Sequence, residues 1–330
     1  MSDRLKVLIL IRRFDKTYPK HKPKMDMIRA IEEYADVYYW HQNGDIHDIL
    51  TKLNIVPDFI FHYDIAWDKY ALAPNITGLD QIDIPKGCFV IDLHWNNKKR
   101  AAYFTKNKID LIFSVSKYPF LATFPKFEDK MRWLPWSVDP NVIKDWKQEK
   151  NIDYLLMGLV YSDDPSLKLR VKSQKGRYAF RDAVLKRMKD EPGFVFYPHP
   201  GHFAKGARLR INERYAKELN RSKIFFTCGS TNKTGGFAVL KFFEAPGCHT
   251  LLLAEPNRDI EDLGFQDGVN YVACNRTDFY EKAQYYLENE AEREKITKAG
   301  YKFIHEHHTN QVRAKQFITF VTDYLTEKQA

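Results

Sequence analysis

The chain has only four cysteines in 330 residues (Cys88, Cys228, Cys248 and Cys274), and no two of them form a CxxC pair. That spacing supports neither a zinc knuckle nor a disulfide framework, so a reduced, cytoplasmic protein is expected. Long apolar runs are missing too. Nothing approaches the roughly 20 residues that cross a bilayer, and MSDRLKVLIL lacks the cationic, apolar, small-residue order of a secretory leader. No transmembrane segment is expected, which leaves peripheral contact as the one route to a membrane. GxGxxG and GxxxxGK[ST] are both absent after the candidate strands, which argues against nicotinamide, flavin and P-loop chemistry. Short repeats, low-complexity tracts and a basic tail are also missing.

What is present is an ordinary globular composition, 44% hydrophobic and 29% charged, with a high 15% aromatic content. The length calls for one large or two medium domains. Net charge is +9. Residues 1–150 hold 24 Lys and Arg against 20 Asp and Glu, and the remainder holds 28 against 23. An excess shared in this way favours an anionic ligand in a folded site over a detachable nucleic-acid arm.

Short apolar runs alternate with helical stretches. KVLILI (6–11), DVYYW (36–40), DFIFH (58–62), CFVID (88–92) and DLIFSV (110–115) read as buried strands. Helices are expected over 25–34, in DIHDILTKL and over 96–106. Strands this continuous, separated by helices, predict a parallel sheet covered on both faces, with ligands beyond the strands' C-terminal ends. A proline-bearing, charged stretch near 138–150 interrupts the pattern. It restarts at IDYLLMG (152–158) and continues through a helix over 178–188, GFVFYP (193–198), KIFFT (223–227), a helix near 238–245 and HTLLLA (249–254). Residues 277–326 are helical in composition.

Three segments carry chemistry. In CGSTNKTGGFAVLKFFEAPGCHTLLLAE (228–255), small and hydroxylic residues including Ser230, Thr234, Gly235 and Gly236 precede a helix. Such a junction offers free backbone N–H groups to a phosphate. KLRVKSQKGRYAFR (168–181) supplies Lys175, Arg177 and Arg181, spaced so that they form no single helical stripe. YPHPGH (197–202) sets His199 between two prolines just after a strand; no carboxylate or cysteine stands near enough in sequence to make it and His202 a metal site.

The run KFFEAPGCHTLLLAE, then LGFQDGVNYVAC, then the helical FYEKAQYYLENEAEREKITKAGYKFIHEHHTNQVRAKQFITFV resembles the C-terminal half of GT-B glycosyltransferases. The likeness is to the spore-maturation-type branch near family 4. A basic residue precedes a FEA…G element, and a His-Thr then starts the final helix. DLIFSVSKYPFLATFPKFEDKMRWLPWSVDP resembles the end of the N-terminal domain. The resemblance implies an α/β fold of GT-B architecture, two Rossmann-like domains with parallel sheets facing a central cleft. It implies an acceptor domain over 1–138, a donor domain over 139–309, and a helix over about 310–330 packing back on the first. It also implies a metal-independent enzyme without a cofactor, whose donor substrate is a nucleotide-sugar, UDP-linked in expectation. Glu244 matches the glutamate that binds the donor ribose hydroxyls, and Lys241, one turn earlier, would reach the diphosphate. Lys175, Arg177 and Arg181 are similar to the clamp on that group, and His199 to a phosphate-touching histidine. The family's sugar-contacting glutamate is Gly236 here, which leaves sugar and stereochemical outcome open.

On the acceptor side, FVIDLHWNN places Asp92 and His94 at a strand end, where either could take a hydroxyl's proton. His62 and Asp64 stand at another. IRRFDKTYPKHKPK (11–24) follows the first strand, has no glycine, and carries Arg12, Arg13, Lys16 and Asp15. It is expected to be an acceptor-binding loop that selects something negatively charged: a phosphorylated lipid, a glycan polymer or modified DNA. Three rivals stand beside this reading. One is a DNA-modifying glycosyltransferase acting on hydroxymethylated pyrimidines; another is a polyol-phosphate transferase using CDP donors. The third is a non-catalytic nucleic-acid or glycan binding module on a degenerate GT-B fold.

Overall fold

The structure is a computed structural model that describes residues 4–67, 71–202, 209–232 and 235–329. It divides into two compact units. The first comprises Met1–Thr17, Lys24–Pro135 and Asn310–Ala330, and the second Tyr18–Pro23 and Trp136–Thr309.

In the first unit six parallel strands lie side by side in the order Asp36–Trp40, Lys6–Leu10, Phe59–His62, Lys86–Val90, Leu111–Ser114, Met131–Trp133. Lys6–Leu10 pairs with Asp36–Trp40 on one side and with Phe59–His62 on the other, so the winding reverses there. Phe59–His62 and Leu111–Ser114 are buried at every position, as their apolar runs require of strands covered on both faces. One cover is the helix Asn310–Gln329. Its Phe317 packs on Phe59, Phe61 and Phe113 with ring centroids 4.9–6.1 Å apart.

The second unit repeats the scheme with five parallel strands in the order Phe194–Pro198, Ile152–Gly158, Ser222–Thr227, Leu251–Ala254, Val272–Ala273. Its winding reverses between Ile152–Gly158 and Ser222–Thr227. The helices Ala179–Met188 and Phe279–Glu288 pack on one face through Phe180 and Phe279, whose centroids are 5.7 Å apart.

Two local expectations need correction. The small-residue stretch after Thr227 is not an open loop feeding a helix. Ser230–Asn232 and Gly235–Phe237 form an antiparallel hairpin, and the next helix begins only at Lys241 and runs for seven residues. Gly229 permits the turn into it, since a Cβ there would lie 2.7 Å from the Phe237 carbonyl. The basic stretch after the first strand is also more ordered than a loop: Phe14–Thr17 is helical, Pro19–His21 is a 3-10 turn, and Lys22–Arg29 is a helix.

Candidate functional site

The site in the second unit sits where its sheet reverses, the position at which open α/β sheets bind ligands. Gly158 ends the strand Ile152–Gly158 with φ +142°. A Cβ there would stand 3.1 Å from Arg181 Nη1 and 3.2 Å from Lys241 Cε. A glycine at the strand end is therefore what lets two cations converge on it.

Arg181 rises from the first turn of Ala179–Met188 and is 3% exposed. Its Nη2 donates to Thr227 Oγ1 at 3.2 Å and to the Cys228 carbonyl at 2.9 Å, and its plane lies 4.3 Å from the Tyr178 ring. Its Nε has no hydrogen-bond partner among the described residues, and no carboxylate forms an ion pair with it there. Lys241, half-buried, donates from Nζ to Tyr215 Oη at 3.2 Å. Burial pulls its pKa down to about 8, with Glu244 opposing the fall and Arg181 adding to it. Tyr215 in turn donates to Glu244 Oε2 at 2.8 Å, and Glu244 is itself 8% exposed. Lys241, Tyr215 and Glu244 thus form one hydrogen-bonded chain in which Glu244 Oε1 makes no hydrogen bond among the described residues.

His199 closes another side. Gly201 N donates to its Nδ1 at 2.9 Å, and its Nε2 meets Lys20 Nζ. Burial first, then Lys20, His202, Lys241 and Arg181, hold its pKa far below the ordinary range, so the ring is neutral. His202 packs on His199 at 4.8 Å and stacks on His21 at 5.9 Å. Of the other expected donor residues, Lys175 is exposed, and Arg177 lies 5.9 Å from the Tyr178 ring. Ser230 is buried where the hairpin begins, pairing with Phe237; Gly235 and Gly236 lie in its second strand, and Thr234 falls outside the described residues.

In the first unit Asp92 Oδ1 accepts from His94 N at 3.1 Å, and His94 Nε2 stands 3.9 Å from the same oxygen. Beneath them is a buried ion pair: Arg100 Nε and Nη2 donate to the two oxygens of Asp64 at 3.0 and 2.5 Å. Asp64 also accepts from Ala66 N and Ile91 N. That carboxylate is fully occupied and structural. His62 is likewise engaged, between Tyr103 Oη and the Pro74 carbonyl, and burial lowers its pKa to about 4. In the basic stretch Arg12 Nη2 donates to Asn43 Oδ1 at 2.5 Å. Asp15 is buried between Arg29 at 2.8 Å and Arg13 at 3.5 Å. Burial there works to raise its pKa, but the Arg29 hydrogen bond and the two guanidinium charges outweigh it and hold the carboxyl below its usual range. Lys16 is exposed.

Sequence reasoning did not single out Tyr215 or Arg100, and it placed Lys20 only among the acceptor-side cations of the basic stretch, not beside His199. No motif flags them, because each acts through a partner 29, 179 or 36 positions away. The glycine closing IDYLLMG was the one available signal for the cation pair. Among the described residues no group of three or more His, Cys, Asp or Glu is arranged to hold a metal ion, and no helix is long and apolar enough to cross a membrane.

Residues 179–319 match the sequence model of a family described as glycosyl transferase-like. That span contains Arg181, Tyr215, Lys241 and Glu244. No curated protein matches the chain in sequence. Solved structures match it in fold. Sucrose-phosphate synthase from Thermosynechococcus elongatus superposes with a TM-score of 0.62 at 10% identity, covering 98% of this chain and 100% of that one. A glycosyltransferase from Rickettsia africae ESF-5 gives 0.60 at 10% identity, over 98% and 99%. An α-glucosyltransferase solved with UDP-glucose and DNA containing an abasic site gives 0.59 at 11%, over 96% and 99%. The resemblance read in KFFEAPGCHTLLLAE is borne out: this chain has the GT-B fold of glycosyltransferases, with Rossmann-like sheets in both of its units.

Proposed function

We propose that the chain transfers a sugar from a nucleotide-sugar, with UDP as the carrier, to an acceptor hydroxyl. The observation that carries this is Arg181, a buried guanidinium whose Nε has no hydrogen-bond partner and which forms no ion pair with a carboxylate among the described residues, converging with Lys241 on Gly158 at the sheet's reversal. A buried charge of one sign is costly without a counter-charge, and a diphosphate supplies one. In this reading Arg181 and Lys241 hold the diphosphate, with His199 and the Lys20 ammonium beside them, and Glu244 Oε1 receives the ribose hydroxyls. As the bond from the sugar's anomeric carbon to phosphate breaks, its electrons pass to the departing nucleotide, whose charge two fixed cations stabilise without a metal. The acceptor oxygen bonds to that carbon and yields its proton to the Asp92–His94 pair.

The acceptor is proposed to be anionic, selected by Arg12, Arg13 and Lys16 with Asp15 ordering the two arginines, and the enzyme to work in the cytoplasm. A DNA acceptor is the second reading, favoured by the net +9 and the fold shared with the DNA-bound α-glucosyltransferase. Gel shift on hydroxymethylated against plain duplex tests it: equal or absent binding removes DNA. The primary test is thermal shift with UDP-, GDP-, CMP- and CDP-sugars. A UDP-sugar at a hundredfold its Kd should stabilise the fold by about 2.7 kcal/mol; no shift with any of them would sink the transferase reading.

A further inference from the structure

Beside Asp92 the first unit carries a corner of two indoles. Trp95 is 45% exposed. Its ring centroid lies 6.0 Å from that of Trp67, at 55°. Its Nε1–H donates to Asp92 Oδ2 at 3.2 Å, so the carboxylate sets the ring's orientation. The corner is also braced from below. Asp64 receives the N–H of Ala66, the residue before Trp67, and of Ile91, the residue before Asp92. Arg100, clamped on Asp64, donates to the Trp95 carbonyl at 2.6 Å, and Asn96 Nδ2 donates to the Ala66 carbonyl at 2.7 Å. One buried ion pair thereby fixes both indole-bearing turns and the carboxylate between them.

A single exposed tryptophan needs no explanation. One tethered to a carboxylate, on turns held by a buried ion pair, is pre-organised, and pre-organisation is what lowers the cost of binding. We propose that Trp67, Trp95 and Asp92 form a carbohydrate subsite, in which a pyranose ring of the acceptor lays its C–H face on the Trp95 indole and turns hydroxyls to Asp92. The inference rests on the reading of the first unit as the acceptor side. The indole face is the negative pole of the ring quadrupole and attracts the weakly positive C–H groups of a sugar. Among the described residues Asp92 accepts from two donors, and its remaining lone pairs can accept hydroxyl protons. A nucleobase would also stack on the indole, and an oligonucleotide in the test separates it from a sugar.

Saturation-transfer NMR on the full chain tests this with neutral maltotriose, cellotriose and methyl glycopyranosides, an oligo-dT strand, and UDP in the same tube. The expected result is transfer to the C–H face of at least one neutral saccharide. It should weaken about three- to tenfold in Trp95→Ala, the worth of one aromatic contact, and persist in Trp95→Phe, which keeps a flat ring. UDP signals should be unchanged in both variants and weakened in Lys241→Ala. No transfer to any saccharide, transfer indifferent to Trp95→Ala, or Trp95-dependent transfer to oligo-dT alone would each overturn the subsite. Loss of the UDP arm with the saccharide arm intact would instead overturn the transferase reading and leave the subsite standing.

Discussion

At Arg181 the protein keeps a guanidinium 3% exposed with one N–H unpaired among the described residues, and Lys241 shares its corner. Lys241 is the residue whose charge responds to pH, because burial brings its pKa down to about 8. Below that value the ammonium is charged and holds an anion; above it the charge is lost. The donor kcat/KM, which reports the free enzyme, should therefore fall as pH rises from 7 to 9. Lys241→Arg should flatten that profile, and Lys241→Ala should weaken UDP binding about 10- to 100-fold, the worth of a charge-assisted hydrogen bond. A profile that falls equally in Lys241→Arg would assign the titration elsewhere. Lys241 and Glu244 were legible in the sequence because they stand three apart in a helix whose FEA…G element is recognisable. Tyr215, which joins them, was not: a tyrosine in ERYAKELN looks like any partly buried aromatic until the fold sets it beside them.

The elements follow from the sequence where burial alone decides them. IDYLLMG is a strand at the residues its apolar run marks, and DVYYW is another. The paired strands Ser230–Asn232 and Gly235–Phe237 were hidden, since Gly and Asn are depleted in strands and only the pairing brings out the ladder. The basic stretch was hidden for a similar reason, its turns being fixed by Asp15 between Arg13 and Arg29. Between elements, the Asp64–Arg100 pair joins the ends of the strands Phe59–His62 and Lys86–Val90 to the helix Asn97–Lys106. Asp64→Ala alone strands a buried guanidinium and should cost about 3–5 kcal/mol in urea unfolding. Replacing both partners with apolar residues of similar volume should cost much less. Equal losses from the single and double replacements would mean that the pair is not coupled.

Over the whole molecule, two fixed cations rather than a metal are proposed to carry the leaving charge. Turnover should then survive excess EDTA unchanged, and activity abolished by EDTA and restored by a divalent ion would refute that assignment. The α/β alternation on either side of residues 138–150 made two sheets legible. A reading along the chain had no means of placing Tyr18–Pro23, which belongs to the second unit although the residues on both sides of it belong to the first. Discontinuity of this kind has a consequence for biosynthesis. Phe317, which covers Phe59, Phe61 and Phe113, follows Phe113 by 204 positions (317 − 113). At about 5–20 residues per second, a ribosome makes that helix some ten to forty seconds after the strands it shields. The half of the protein translated first is thus the half finished last, and its aromatic sheet face is what a nascent-chain chaperone would meet in the interval.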